Sequence, residues 1–165
     1  MGAPQPGPAA ATGEAPDPSR VQVVGFVFDE DGTHSLFVRK NRPPWMAGQL
    51  NGVGGKAEGD ESPSETMSRE FEEETGVLIN SSAWRPVVTI GSDHGTVVHV
   101  FAVAHPMAHG VARSVTDEEI LVRLVDPVPV DALPSLRWLV PLAHYVVFVQ
   151  AMTLVGVEGR RVRAV

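Results

Sequence analysis

The order of hydrophobic and polar residues in the first third of this chain predicts three strands. Residues 21–28 form a continuous run of β-branched and aromatic residues, which indicates a buried strand. Asp31 and Gly32 give a turn signal, and residues 35–39 are predicted to return as the antiparallel partner of that strand. Residues 50–55 predict a short third strand that leads into a glycine-rich loop.

An amphipathic helix is predicted immediately after this loop. Ser62 and Glu65 have the spacing of a capping box, so we expect the helix to begin after Ser62. Met67 and Phe71 lie four residues apart and give the helix an apolar edge to bury. Gly76 is typical of the residue that ends a helix.

The second half of the chain predicts three more strands and a final helix. Residues 83–90 and 96–104 have the pattern of an antiparallel pair, and residues 120–125 that of a further strand. The stretch 138–157 is nearly uncharged, but a proline and several polar residues interrupt it. We therefore predict a buried helix over about residues 141–152 in preference to a membrane span.

The predicted elements follow the order β-β-β-α-β-β-β-α, which is typical of a single α/β domain with a mixed sheet covered by helices. Residues 1–20 are rich in Pro, Ala and Gly and predict a flexible tail, not a secretory signal. We expect the folded domain at residues 21–155 and a C-terminal tail or edge strand at 156–165. Either a monomer or a homodimer, with contacts through the final helix, fits this pattern.

Composition narrows the possible functions. The chain of 165 residues has no cysteine, which excludes disulfides, thiolate metal sites and a cysteine nucleophile and favours the reducing cytoplasm. Its net charge of −7 argues against binding of a nucleic-acid polymer, which needs a basic face. Small nucleotides remain possible ligands, because a local basic cluster is enough to bind phosphate.

Three carboxylates carry the strongest chemical signal. Glu70, Glu73 and Glu74 stand at positions i, i+3 and i+4 of the predicted helix, so they share one face and repel one another. A hard divalent cation such as Mg²⁺ takes oxygen ligands and would turn that repulsion into attraction. The alternative, a solvated acidic helix, explains neither the spacing to the glycine loop nor the register of the glutamates.

Residues 55–77 resemble the Nudix box, whose pattern is G-x5-E-x7-R-E-U-x-E-E-x-G-U with U an apolar residue. All nine constrained positions are filled, by Gly55, Glu61, Arg69, Glu70, Phe71, Glu73, Glu74, Gly76 and Val77. The resemblance extends more weakly over residues 21–150. It implies the α/β/α sandwich of the Nudix fold and hydrolysis of a nucleoside diphosphate linked to another group, with Mg²⁺ or Mn²⁺.

The resemblance also implies roles for individual residues. The metal ligands would be Glu70, Glu73 and Glu74, joined by Glu58 and by the carbonyl of Gly54. Glu70 and Glu73 also belong to the predicted catalytic set. That set includes two residues outside the ligands, Glu119 and Arg69, the latter as an orienting residue held in a salt bridge.

The general base is the less defined part of this prediction. In the family it is either a box glutamate or an acid on a later loop, and residues 117–119 lie where that loop would be. Of Glu118 and Glu119 we favour Glu119, because Ile120 then starts the apolar pattern of the next strand. A solvated strand entry is the alternative interpretation of these acids.

Substrate contacts are predicted outside the box. Asn51 lies in a segment similar to that of the family's oxidised-purine nucleoside triphosphatases, where the matching Asn contacts the purine. The acidic pair that reads the purine edge there is replaced by Pro134 and Ser135, so the resemblance does not extend to the residues that give this specificity. The remaining candidates are cations for phosphate and an aromatic residue that could stack on a base: Arg39, Lys40, Arg42, Lys56 and Trp45.

The leading functional hypothesis is Mg²⁺-dependent hydrolysis of a nucleoside triphosphate to nucleoside monophosphate and pyrophosphate. The alternative enzyme is a nucleotide-sugar or dinucleotide pyrophosphatase. A non-catalytic nucleotide-binding Nudix domain is the third hypothesis, but such domains usually lack box carboxylates, and all are present here.

Overall fold

The computed structural model describes residues 20–106 and 108–149, and the backbone of residues 155–158 and 161–164. The predicted N-terminal tail therefore lies outside the described residues except for Arg20. None of the helices in these ranges has the length and apolar character needed to cross a bilayer.

The described strands and helices follow one another in nearly the predicted order. The strands are β1 (Val21–Phe28), β2 (His34–Arg39), β3 (Leu50–Asn51), β4 (Arg85–Gly91), β5 (Val97–Ala104), β6 (Glu119–Leu124), β7 (Val155–Glu158) and β8 (Arg161–Ala164). The α-helices are α1 (Pro63–Thr75), α2 (Ala108–Val111) and α3 (Leu136–Phe148). The single turn of α2 lies in the connection between β5 and β6.

In the part of the chain that the structure describes, eight strands form one mixed sheet. Seven of them lie in the order β3, β2, β1, β5, β4, β7, β8, and β6 pairs with β2. Strand β1 runs parallel to β5, whereas β4 and β5 form the predicted antiparallel pair. The predicted C-terminal segment contributes strand β7, whose backbone pairs in parallel with β4.

The predicted hairpin of β1 and β2 forms only at its closed end. Phe28 and Ser35 are the residues paired in register, and β2 instead pairs along its whole length with β6. The reason is that the glycine-rich segment occupies the same edge of β1. Gly25 donates its N–H to the carbonyl of Val53 at 2.7 Å. This antiparallel contact between β1 and the segment after β3 extends to Gln22 and Lys56.

Helices cover both faces of the sheet, which confirms the predicted α/β/α sandwich. On one face, Met67 and Phe71 of α1 pack with Trp84 and with side chains of β1. On the other, α3 packs Leu136 and Leu139 against a second cluster rich in phenylalanine. The three candidate glutamates are therefore carried by a helix that is anchored along its apolar edge.

Helix α1 has the predicted ends. The side chain of Ser62 accepts a hydrogen bond from the N–H of Glu65, and Glu65 bonds back to the N–H of Ser62. Gly76 ends the helix with a φ of 72°, a left-handed conformation that favours glycine. Both ends are satisfied locally, which fixes the register of every side chain between them.

Helix α3 starts at Leu136, earlier than the predicted residue 141. Leu136 is fully buried, and its N–H bonds to the carbonyl of Leu133, so the chain enters the helix through a preceding turn. Pro141 consequently lies inside the helix, where it has no N–H to donate. The predicted end at residues 150–152 lies outside the described residues.

We expect replacement of Phe71 with Ala to weaken the attachment of α1 to the sheet. Phe71 is fully buried and meets Trp84 edge to face at 5.5 Å between ring centroids. A buried Phe→Ala change typically lowers the free energy of unfolding by about 3–5 kcal/mol. Urea denaturation measures the loss, with the exposed neighbour Glu72→Ala as a control expected to change stability by less than about 0.5 kcal/mol. Equal stability of the two variants would contradict this packing.

Candidate functional site

Two glycines bring the loop after β3 against β1 and α1. A Cβ on Gly55 would lie 2.3 Å from the carboxyl carbon of Glu70. A Cβ on Gly54 would lie 2.1 Å from the carbonyl oxygen of Val23. Both distances are shorter than any tolerated contact. A side chain at position 54 would collide with the backbone of β1, and one at position 55 would displace the Glu70 carboxylate.

Arg69 fastens this loop to the helix. Its Nε and Nη2 donate to the two oxygens of Glu61 at 2.7 and 3.0 Å, and Nη2 also donates to the carbonyl of Lys56 at 2.9 Å. This paired hydrogen bond is the strong form of an arginine–carboxylate contact. It holds the pKa of Glu61 at about 2, well below the ordinary value of 4.5. Arg69 therefore occupies an orienting position.

Arg69 also holds two of the three glutamates. Its Nη1 donates to Glu70 Oε1 and to Glu73 Oε2, each at 3.1 Å. Glu70 is largely buried, with 15% of its side chain exposed, whereas 56% of the Glu73 side chain is exposed. Burial raises the pKa of Glu70, although Arg69 partly opposes that effect.

Glu74 is the most unusual carboxylate of the site. It is 8% exposed, and its Oε2 has no hydrogen-bond partner among the described residues. Burial raises its pKa to about 7; Lys40 lowers it, and Glu118 and Glu70 raise it further. A buried carboxylate oxygen without a partner is costly, so a ligand that satisfies it would stabilise the site.

The donor set fits a divalent cation. All candidate ligands offer oxygen, one buried oxygen lacks a partner among the described residues, and the glycine loop lies directly against the Glu70 carboxylate. Within residues 20–106 and 108–149, no three acidic or histidine side chains already surround a common point, and Arg69 binds Glu70 and Glu73. Glu58 is exposed, while its N–H donates to Glu61 at 3.1 Å and so fixes the backbone there. The predicted ligand set thus stays a prediction that the geometry supports.

The two acids at the start of β6 face opposite sides of the sheet. Successive side chains of a strand point to opposite faces of the sheet, and residues paired between β2 and β6 share a face. Lys40 forms an ion pair with Glu118, which is buried and also accepts the N–H of Asn41 at 3.0 Å. Glu119 instead pairs with Arg39 at 3.4 Å, with 59% of its side chain exposed.

The structure therefore brings Glu118, and not the favoured Glu119, towards Glu74. Glu119 as general base stays a prediction, but its side chain is directed to Arg39. The pairing of Arg39 with Glu119 and of Lys40 with Glu118 could have been inferred only from the register of β2 and β6. That register depends on the long-range topology, which local sequence patterns do not report.

The predicted substrate contacts lie around this centre on two segments. Arg42 and Trp45 stand on the loop after β2, where Arg42 pairs with Asp117 at 3.3 Å and Trp45 is 70% exposed. Asn51 ends β3 and is half-buried, and Lys56 is exposed on the glycine loop. Arg39 is bonded to three other segments of the protein, so its predicted phosphate contact competes with internal bonds.

Comparison with known proteins identifies related sequences and folds. A family model described as the NUDIX domain matches residues 18–146, which is most of the chain. No curated protein matches the sequence.

Solved structures share the fold at low sequence identity. The MutT NUDIX hydrolase from Burkholderia pseudomallei is 20% identical, with a TM-score of 0.60 over 74% of this chain and 96% of that one. A MutT structure from a study of Aliivibrio salmonicida and Vibrio cholerae is 18% identical, with a TM-score of 0.57 over 73% and 95%. The MutT protein from Methanosarcina mazei Go1 is also 18% identical, with a TM-score of 0.51 over 78% and 94%.

We expect Gly55→Ala to disturb the candidate metal site without unfolding the protein. The added methyl group would displace the Glu70 carboxylate, so affinity for Mn²⁺ should fall by about 10- to 100-fold. Isothermal titration with Mn²⁺ measures this loss. Gly110→Ala is the matched control, because a Cβ there meets nothing within 4 Å. Wild-type affinity in Gly55→Ala would contradict the proposed closeness of loop and ligand.

Proposed function

Because the chain belongs to the Nudix family, we propose that it is a Mg²⁺-dependent hydrolase that converts a nucleoside triphosphate to nucleoside monophosphate and pyrophosphate. The family hydrolyses pyrophosphate bonds of nucleoside diphosphate derivatives, generally with divalent metal ions, and this chain is a hydrolase of that kind. The observation that carries the proposal is the buried oxygen of Glu74, beside Glu70 and the glycine loop, for which the described residues offer no hydrogen-bond partner.

The glutamates of α1 are the proposed ligands of the ion. Glu70, Glu73 and Glu74 would hold it, with Glu58 and the carbonyl of Gly54 completing its coordination. A bound Mg²⁺ neutralises charge on the pyrophosphate and lowers the pKa of a coordinated water. The protein's own contribution is to hold these side chains in one place. Burial raises the pKa of Glu70 and Glu74, so a bound cation would favour their charged forms.

Arg69 restrains these ligands and has no proposed contact with substrate. Its guanidinium already bonds to two box glutamates, to Glu61 and to the loop carbonyl of Lys56. The Lys56 ammonium is exposed, and Arg42 is exposed while paired with Asp117, so both can approach the phosphates from the surface. Arg69 thus sets the distance between the loop and the helix, while these two cations receive the charged end of the substrate.

The acid that acts together with the box glutamates is proposed on the loop before β6. Glu118 is buried, and its charge raises the pKa of Glu74, which supports a place beside the metal ligands. Lys40 and the N–H of Asn41 hold it in one orientation. Glu119 is the alternative, and it would need to leave Arg39 in order to act there.

The nucleoside is proposed to lie on the side of Asn51 and Trp45. The amide of Asn51 can hydrogen-bond a base, and an exposed Trp45 offers an aromatic face for stacking. These two residues support a nucleoside triphosphate over inorganic substrates. They do not distinguish it from a nucleotide sugar or a dinucleotide, so the substrate panel includes both.

We expect Glu73→Gln to lower kcat by about a hundredfold or more, since it removes one ligand charge. Release of monophosphate and pyrophosphate from a panel of nucleotides with Mg²⁺ measures the activity. Glu72→Gln lies one position along the same helix, is exposed and should retain wild-type kcat. Nucleotide binding without turnover in the wild-type protein would instead indicate a non-catalytic domain.

A second pair of variants separates the two acids before β6. Glu118→Gln removes the buried charge beside Glu74, so we expect kcat to fall by about tenfold or more, while Glu119→Gln changes it by less than about threefold. Steady-state kinetics at saturating Mg²⁺ measures both. A larger loss of kcat in Glu119→Gln than in Glu118→Gln would indicate that Glu119 is the acid that acts with the box glutamates.

A further inference from the structure

Arg39 joins three segments that surround the proposed nucleoside side of the site. Its Nη1 donates to the carbonyl of Gly48 at 2.8 Å and to Asp131 Oδ2 at 3.1 Å. Its Nε reaches Glu119 Oε2 at 3.4 Å. The three acceptors belong to the loop after β2, to the connection before α3 and to the start of β6.

The segments that Arg39 joins also hold strand β3. Leu50 pairs in register with Arg39, and its N–H donates to the carbonyl of Asp131 at 2.9 Å. The N–H of Leu133 then donates to the carbonyl of Leu50 at 2.9 Å. We call these contacts among Arg39, Gly48, Leu50 and Asp131 the junction. Asn51 directly follows Leu50, so its position depends on the junction.

The loop after β2 is closed at the same place. Lys40 donates its N–H to the carbonyl of Gln49 at 3.0 Å, and Gly48 donates to the carbonyl of Lys40 at 2.8 Å. Residues 40–49 therefore form a closed loop that carries Trp45 at its exposed end. The bond from Arg39 to the carbonyl of Gly48 ties the base of this loop to Asp131.

Two carboxylates flank the Arg39 guanidinium, which weakens its attraction for a phosphate. Glu119 and Asp131 neutralise the cation locally, and both hydrogens of Nη1 have acceptors. Arg39 and Lys40 also point to opposite faces of the sheet, so Arg39 faces away from the carboxylates of α1. Charge and direction thus both disfavour a phosphate contact.

We propose that Arg39 is a positioning residue that holds Asn51 and the Trp45 loop in place for the nucleoside. This inference rests on the proposed function, because it assigns those two residues to substrate. Arg39 itself contacts no substrate. Its role needs the planar guanidinium, since a lysine ammonium cannot reach acceptors on three segments at once.

The experiment compares Arg39→Lys and Asp131→Asn in the full chain with Arg123→Lys as control. Arg123 is exposed on β6 and bonds only to the carbonyl of its neighbour Val122 among the described residues. We expect Arg39→Lys to raise KM for the nucleoside triphosphate by about tenfold and to change kcat by less than about threefold. The inhibition constant of inorganic pyrophosphate should not change, because pyrophosphate does not use the nucleoside side.

A phosphate contact would behave differently. Lysine would then largely restore KM, and loss of the cation in Arg39→Gln would weaken pyrophosphate inhibition as much as it raises KM. Either result overturns the inference. In the double variant, the increase in KM should be smaller than the product of the increases in Arg39→Lys and Asp131→Asn, because each substitution breaks the same junction. Full additivity would also overturn the inference.

Hydrogen exchange of the amides in residues 40–49 gives a readout that needs no activity. Arg39→Lys should speed exchange in this loop, whereas Arg123→Lys should not. If the wild-type protein hydrolyses no nucleotide, the proposed function is wrong. If amide exchange in residues 40–49 is also unchanged by Arg39→Lys, then Arg39 does not hold this loop in place. Faster exchange together with normal kinetics would overturn the positioning role alone.

Discussion

The bonds from Arg69 to Glu61 and to the carbonyl of Lys56 hold the glycine loop on helix α1, and the rest of the site depends on them. They fix the loop at a distance where a side chain at position 55 would displace the Glu70 carboxylate. Glu74 is buried on the same helix, with an oxygen that no described residue satisfies. The fold thus places buried carboxylates, whose pKa burial raises, where a cation would stabilise their charged form.

The proposed site is supported from both faces of the sheet. The face that carries α1 holds the carboxylates, with the Lys40–Glu118 pair beside them. The opposite face holds the junction around Arg39, which supports the segments proposed to receive the nucleoside. Two consecutive residues of the chain therefore serve two parts of the site, because strand side chains alternate.

Sequence patterns predicted the local features well and the long-range ones poorly. The ends of α1 follow from Ser62, Glu65 and Gly76, because each acts on its nearest neighbours. The open β1–β2 hairpin and the contrast between Glu118 and Glu119 were not predicted, since both depend on which distant strand β2 pairs with. The early start of α3 follows from tertiary burial of Leu136, which local propensity does not report.

The most direct test is an anomalous difference map from a crystal of the protein grown with Mn²⁺. The account predicts one strong peak, or more, within coordination distance of carboxylate oxygens of Glu70 and Glu74, with the Oε2 of Glu74 no longer unpartnered. A fully occupied Mn²⁺ elsewhere, with Glu70 and Glu74 unchanged and without an ion, would contradict it.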